Sequence, residues 1–229
     1  MNPILDPQIW GEAAWSQWLG WQPSATQLQQ LQHLYHLVLA GNSRQNLTRI
    51  TDPTDFWEKH LWDSLRGIHS WQSHHPAPPP ALRVVDIGTG AGFPGIPVAI
   101  AYPGWFCTLL DATRKKVVFV EETLQALHLP NAEAKQGRAE VWGSAPSAPQ
   151  PYDLALSRAV GTAELCAAYS LPLLRSGGYA LLYRGQWTPA ETAHLETVLQ
   201  GLGGQIRTVD AFVTPFSQSV RHCIVVQKY

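Results

Sequence analysis

Cysteine, charge and long apolar runs are all scarce in this chain, and each scarcity closes off a class of protein. Three cysteines in 229 residues, Cys107, Cys166 and Cys223, lie far apart and form no C-x-x-C pair. They exclude a disulfide scaffold and a structural zinc site and fit reduced thiols in a cytosol. Nowhere do about 18 apolar residues run without a charge, and Met1 to Trp21 has no basic head followed by an apolar stretch. No membrane span and no secretory leader are expected. Neither charge sign dominates: 16 Lys and Arg face 17 Asp and Glu, a net charge of −1. A global basic field that would collect nucleic acid is therefore missing. Four basic residues face six acidic ones up to residue 80, and twelve face eleven beyond it, so any local basic face belongs to the second part. What is present, 45% apolar residues and ten tryptophans, suffices for a full core, and the length suits one large domain or one with a small appendage. A cytoplasmic globular protein is expected.

Residues 1–75 read as a helical layer. Ser24 and Gln27 form a capping-box signal, after which Leu28, Leu31, Tyr35 and Val38 recur at helical spacing, with Gly41 as the expected stop. Asp52-Pro53 starts a second helix that carries Phe56, Trp57, Leu61, Leu65 and Ile68. The run Pro76–Pro80 reads as a linker, since proline neither donates to a ladder nor continues a helix. From residue 81 to 229 short apolar runs alternate with helical stretches: strands at 82–87, 106–110, 132–136, 154–157, 179–184, 206–213 and 223–227, with helices between them. The short connection Thr214–Ser219 makes the last pair antiparallel. This pattern predicts an α/β, Rossmann-like, mostly parallel doubly wound sheet with an antiparallel edge. The Ser/Ala/Pro run Gly143–Pro151 reads as a surface loop.

The segment Val84-Val85-Asp86-Ile87-Gly88-Thr89-Gly90-Ala91-Gly92-Phe93-Pro94-Gly95 runs from a buried strand through glycines into a helix, and two ligand classes use such a turn. Gly90, Gly92 and Gly95 satisfy a dinucleotide fingerprint, with Asp111 at the end of the second strand as ribose partner. Counted from Asp86, the same residues form the acid-x-Gly-x-Gly-x-Gly loop of S-adenosylmethionine-dependent methyltransferases. Pro94 removes a donor where a pyrophosphate would seek one, and residues 161–229 hardly provide the substrate domain of a dehydrogenase. Methyl transfer is the favoured reading. An NAD-type oxidoreductase and a catalytically silent nucleotide- or ribosome-binding module are the alternatives.

From about Asn46 to Lys228 the chain resembles the bacterial small-subunit ribosomal RNA guanine-N7 methyltransferases, the glucose-inhibited division protein B family. The resemblance rests on separated motifs in order: Asn46-Leu47-Thr48 with Asp52-Pro53, His60-Leu61-Trp62-Asp63-Ser64-Leu65, the glycine loop, Leu109-Leu110-Asp111 with Lys115-Lys116, Arg138-Ala139-Glu140, Ser157-Arg158-Ala159, and Arg221-His222. It implies S-adenosylmethionine as cofactor, held by Asp86, Gly88, Gly90 and Phe93 of the loop, by Asp111 at the ribose and by Ala139 and Glu140 at the adenine. It also implies Arg158 as the catalytic residue at the mouth, near cofactor and substrate, and small-subunit rRNA or the ribosomal subunit as partner. Where the family often carries lysine before Gly-Gln of the fifth strand, this chain has Arg184-Gly185-Gln186, which keeps the charge and changes its geometry.

Guanine N7 offers an in-plane lone pair and no proton, so its methylation needs alignment more than a general base. No Ser-His-Asp, Cys-His or paired-carboxylate constellation stands out, in keeping with that chemistry. Lys115, Arg184 and Arg221 are candidate RNA contacts, although each alone is more often a solvated surface charge, and Lys115 could equally pair with Glu121. His60, Asp63 and Ser64 share one helix face, either as a polar seam between helical layer and sheet or as part of the pocket. His33 and His36 also share a face but gain no further ligands, so no metal site is expected. The four N-terminal tryptophans Trp10, Trp15, Trp18 and Trp21 read mostly as packing residues, although an exposed one could stack on a base. A monomer is expected.

Overall fold

The computed structural model describes residues 5–73, 79–142 and 151–229. Of the expected linker only Pro79 and Pro80 lie among the described residues, and most of the 143–151 loop lies outside them. The chain opens with α1 (Pro7–Trp10), α2 (Glu12–Leu19) and α3 (Ala25–Asn42). The capping box at the start of α3 is formed, with Ser24 Oγ accepting from Gln27 N at 3.3 Å and Gln27 Oε1 accepting from Ser24 N at 2.9 Å. Gly41 does not stop the helix. It lies inside the last turn, where a Cβ would stand 2.4 Å from the Phe119 ring, so it is a close-packing position and not a left-handed cap. The turn after α3 is closed instead by Asn42, whose Oδ1 accepts from the amides of Leu47 and Thr48.

Asp52 caps the next helix through Thr54 N and Asp55 N. From there α4 (Pro53–Phe56), a π-helical turn over Trp57–Trp62 and α5 (Asp63–Gln72) follow without interruption as one rod. The wider π turn shifts the phase of the helix, and Trp57, Glu58, His60, Leu61 and Trp62 all become buried. An α-periodic reading of the sequence cannot anticipate this, because it assumes a constant 3.6 residues per turn.

The remaining chain alternates β1 (Arg83–Ile87), α6 (Gly95–Ala101), β2 (Phe106–Asp111), α7 (Arg114–Ala126), β3 (Ala132–Gln136), α8 (Ala139–Trp142), β4 (Tyr152–Arg158), α9 (Ala163–Ser170), β5 (Leu174–Arg184), α10 (Pro189–Leu202), β6 (Gly204–Val213) and β7 (Val220–Lys228). The helix α9 stops at Ser170, because a 3-10 turn containing Pro172 precedes the long strand β5. Strand order is β3-β2-β1-β4-β5-β7-β6, with β1 to β5 parallel. The antiparallel edge takes the form of the β6–β7 hairpin: β7 pairs antiparallel with both neighbours, and β6 lies outermost. One sheet face, with Val84, Leu109 and Leu156, shares a buried core with Trp10, Trp15, Tyr35, Phe56 and Trp57 of the helical layer. The other, with Val85, Ile87 and Ala155, packs beneath α9 and α10. The order of strands reverses between β1 and β4, and a crevice opens outside the carboxyl ends of such strands.

Gly67 of α5 marks the closest approach of rod and sheet. A Cβ there would lie 2.3 Å from Cε1 and Cζ of the buried Tyr183 ring on β5, whereas at Gly201 of α10 it would meet nothing within 4 Å. Gly67→Ala should therefore lower the unfolding free energy by ~2 kcal/mol or more through overpacking. Gly201→Ala should raise it by about 0.5 kcal/mol through helix propensity. Urea denaturation of both variants checks the contrast.

Candidate active site

Two acids pin the glycine loop. Asp86 at the end of β1 is fully buried, and its Oδ2 accepts from Thr89 Oγ1 at 2.6 Å and from Gly95 N at 2.8 Å. Its Oδ1 is buried without a partner, and burial pushes the carboxyl up to about 6 against the pull of those two hydrogen bonds. Asp111 holds the loop from the end of β2: Oδ2 accepts from Gly90 N at 3.0 Å and Oδ1 from Thr113 N at 2.8 Å. The amides of Gly88 and Thr89 both donate to Leu110 O. Between these anchors Gly88 and Gly90 adopt φ of 67° and 61°, the left-handed region that glycine enters freely. A Cβ on Gly90 would meet no heavy atom nearer than 3.9 Å, so the loop backbone there borders open space.

Two cavities flank this loop on the carboxyl edge. The first, about 140 Å³, is bordered by Gly88, Asp111, Arg138, Ala139, Glu140 and Tyr169, and carries two carboxylates against one guanidinium. Glu140 Oε1 accepts from Tyr169 Oη at 2.9 Å, and the carboxyl sits below its usual range through its own backbone amide first and this hydroxyl second. The second, about 360 Å³, is bordered by Lys59, His60, Asp63, Arg158, Arg184 and Arg221, and is mostly cationic. Acceptor-rich and donor-rich pockets thus sit side by side across the β1–β4 switch point.

Arg158, at the end of β4, is the hub of the second cavity. Its Nη1 donates to Lys59 O at 2.8 Å and to Asp63 Oδ2 at 3.1 Å, and its Nη2 donates to His60 Nδ1 at 3.1 Å. With Nδ1 accepting, the proton of His60 is on Nε2, which donates to Thr48 Oγ1 at 2.9 Å. The imidazole also stacks on Phe93 of the glycine loop, centroids 4.4 Å apart and planes at 7°. Burial, with Arg158 and Lys59 adding to it, drives the His60 pKa down to about 3, so the ring is a neutral spacer and not a base. The polar face of His60, Asp63 and Ser64 therefore belongs to both readings of it. It joins the helical layer to the sheet, with Tyr183 Oη donating to Ser64 O at 2.8 Å, and its members His60 and Asp63 also line the second cavity.

The expected residues divide accordingly. Gly88, Asp111, Ala139 and Glu140 gather at the first cavity, and Arg158, Arg184 and Arg221 at the second. Asp86 lies beneath the loop, and Phe93 turns its buried ring onto His60 and Phe56. Lys115 borders neither cavity and projects from an exposed position on α7, while its neighbour Lys116 approaches Asp111, Nζ to Oδ2 3.8 Å. Arg184 donates to Gly161 O at 2.6 Å across the mouth. Glu58 escaped sequence reading: buried in the π turn, its carboxylate receives Phe216 N, Ser217 N and Ser217 Oγ at 2.5–2.9 Å and fixes the β6–β7 turn. Its signal was an acid three and four residues before Leu61 and Trp62 on an apolar face. A larger cavity, about 670 Å³ between α7 and β3 around Leu124, His128 and Ala132, collects none of the expected residues.

Residues 27–222 match the family described as GidB, rRNA small subunit methyltransferase G. A ribosomal RNA small subunit methyltransferase G of Synechococcus sp. (strain JA-3-3Ab) is 57% identical over 223 residues, 95% of this chain and 85% of that protein. Its counterpart in Gloeobacter violaceus is 52% identical over 216 residues, 94% and 84% of the two chains. Among solved structures, an O-methyltransferase from Bacillus cereus in complex with SAH superposes with a TM-score of 0.61 at 15% identity, covering 95% of this chain and 96% of that one. That last likeness is one of fold.

The state of His60 has a measurable consequence. Its pKa in the folded protein is depressed, so below about pH 6.5 the unfolded chain takes up a proton that the folded chain refuses until about pH 3. Stability from this group is present above pH 6.5 and lost as the pH falls. Acidifying from pH 7 to 5 should cost the wild type ~2 kcal/mol more than it costs His60→Gln, read from urea unfolding at both pH values. Parallel pH dependence in the two proteins would show that the ring is solvated and able to titrate.

Proposed function

The chain belongs to the rRNA small subunit methyltransferase G family and takes its methyl group from S-adenosylmethionine, and from that premise we propose that the acceptor is N7 of a guanine in small-subunit (16S) ribosomal RNA. The observation that carries the reading is the pairing of a carboxylate-bearing cavity with a cationic one on either side of the glycine loop. The first suits a cofactor rich in hydroxyl and amino donors. The second suits a substrate whose backbone is anionic.

The residues fit the cofactor on two counts: the open space before Gly90, and the acceptors Asp111 and Glu140 at one cavity. Gly88, Gly90, Asp111, Ala139 and Glu140 would hold it, Asp86 and Phe93 would shape the loop from behind, and the cofactor supplies a methyl bound to a positive sulfur. Arg158 lies on the substrate side. Its guanidinium is oriented from three directions, which leaves its position fixed before any substrate arrives and lowers the entropic cost of alignment. The acceptor nitrogen carries no proton, so no base is required, and His60 with both ring nitrogens engaged offers none. Arg184 and Arg221 at the rim would meet phosphates; Lys115, away from both cavities, is a candidate for a more distant contact only.

In the same reading residues 1–75 are an extension that supplies Lys59, His60 and Asp63 to the methyltransferase unit 81–229. All groups of both cavities come from one chain, so a monomer suffices. A ribosomal substrate implies a cytoplasmic site of action, and no described helix is long and apolar enough to cross a membrane.

Radiolabelled methyl from S-adenosylmethionine, offered to free small-subunit RNA and to subunits from cells lacking this protein, should appear on one guanine N7. No label on any RNA with cofactor binding intact would favour a binding module instead. Arg158→Ala should fold, bind cofactor and lose at least about tenfold in kcat/KM, and Arg158→Lys should not restore it, because an ammonium cannot reach Lys59 O, Asp63 and His60 together.

A further inference from the structure

Large aromatic rings are kept on the surface beside the cationic cavity. Trp18 of α2 and Phe216 of the β6–β7 turn are 38% and 41% exposed, with ring centroids 6.4 Å apart. They continue a buried aromatic column outward: Trp15 packs on Trp57 at 4.8 Å, and Trp57 on Phe216 at 5.5 Å. Phe216 is held in place from below, since the Glu58 carboxylate accepts from its amide and from two donors of Ser217. Lys59, the next residue, lines the cavity. Arg221, also at the cavity, follows Phe216 by five residues, at most ~17 Å of chain. Arg49 is exposed next to Ile50, another lining residue. Among the described residues neither Arg49 nor Arg221 has a carboxylate within ion-pair distance.

We propose that Trp18 and Phe216, together with Arg49, Arg184 and Arg221, form a contact surface for unpaired RNA flanking the target guanine, the rings stacking on its bases and the arginines meeting its phosphates. The proposal rests on the RNA substrate of the preceding reading and extends it from a pocket to a track. Arginines gathered with no described carboxylate beside Arg49 or Arg221 favour a polyanion, which an apolar protein partner does not offer. Rings set beside them on a rigid turn match single-stranded bases, which stack on any aromatic face at little ordering cost to the protein. Base-paired RNA would present its phosphates to the arginines but no free base to the rings.

The test uses purified small subunits lacking the methyl group and measures three quantities in parallel: Kd for subunits by filter binding, KM and kcat for transfer, and Kd for S-adenosylmethionine. Trp18→Ala and Phe216→Ala should each raise Kd and KM for subunits about tenfold, the scale of one lost base stack. Affinity for S-adenosylmethionine and kcat should stay within about twofold. Phe216→Tyr should keep wild-type affinity and Phe216→Leu should not. Wild-type affinity in the Trp18→Ala/Phe216→Ala double variant overturns the proposal, and so does full affinity in Phe216→Leu, which would mean an apolar contact with a protein. A wild type that binds subunits through these rings and transfers no methyl would end the proposed activity while leaving the surface standing.

Discussion

The guanidinium of Arg158 is the point on which the two halves of the molecule converge. It sits at the end of β4 and donates to three acceptors of the helical rod: a backbone carbonyl, a carboxylate and an imidazole nitrogen. A largely buried cation needs such partners, because leaving it unpaired would cost several kcal/mol. The π turn carries Lys59 and His60 and the first residue of α5 is Asp63, so one short stretch of the rod offers all three. His60 then passes the constraint on, through its ring to Phe93 in the glycine loop and through Nε2–H to Thr48 in the preceding turn. Cofactor loop, substrate cavity and N-terminal layer are thereby held in one register.

Most of the strand order and the glycine loop are legible in the sequence because they depend on local signals. Apolar runs of strand length, a capping box at Ser24 and Gln27, and a connection too short for a crossover each fix structure over a few residues. What escaped reading depends on distant partners. Gly41 looks like a helix stop until Phe119 is brought against it, and Glu58 looks like a surface acid until the β6–β7 turn arrives at its carboxylate. The adjacent pair Lys115-Lys116 cannot be resolved without the helix phase, which points the second lysine at Asp111 and the first at solvent. Within the site, the sequence-level grouping of Asp111, Ala139 and Glu140 matches a single cavity, whereas the neutral state of His60 follows only from burial.

Electrostatics at the carboxyl edge are built by segregation and not by net charge. A chain with nearly equal numbers of acids and bases still biases them over a short distance: Asp111 and Glu140 outnumber Arg138 on one side of the β1–β4 reversal, and Lys59, Arg158, Arg184 and Arg221 outnumber Asp63 on the other. Long-range steering of RNA is weak in such a protein, and the local field acts only within about a Debye length. Recognition then relies on contacts made after encounter.

The position of β7 ties the sheet edge to the substrate cavity. It lies between β5 and β6 and carries Arg221 at the second cavity. Without residues 220–228, β6 would have no neighbour in the sheet, the turn gripped by Glu58 would be unclosed and one wall of the cavity would be missing. Loosening of this one strand thus disturbs edge and cavity together, whereas the glycine loop, beyond β5 and β4 in the sheet, keeps its own anchors.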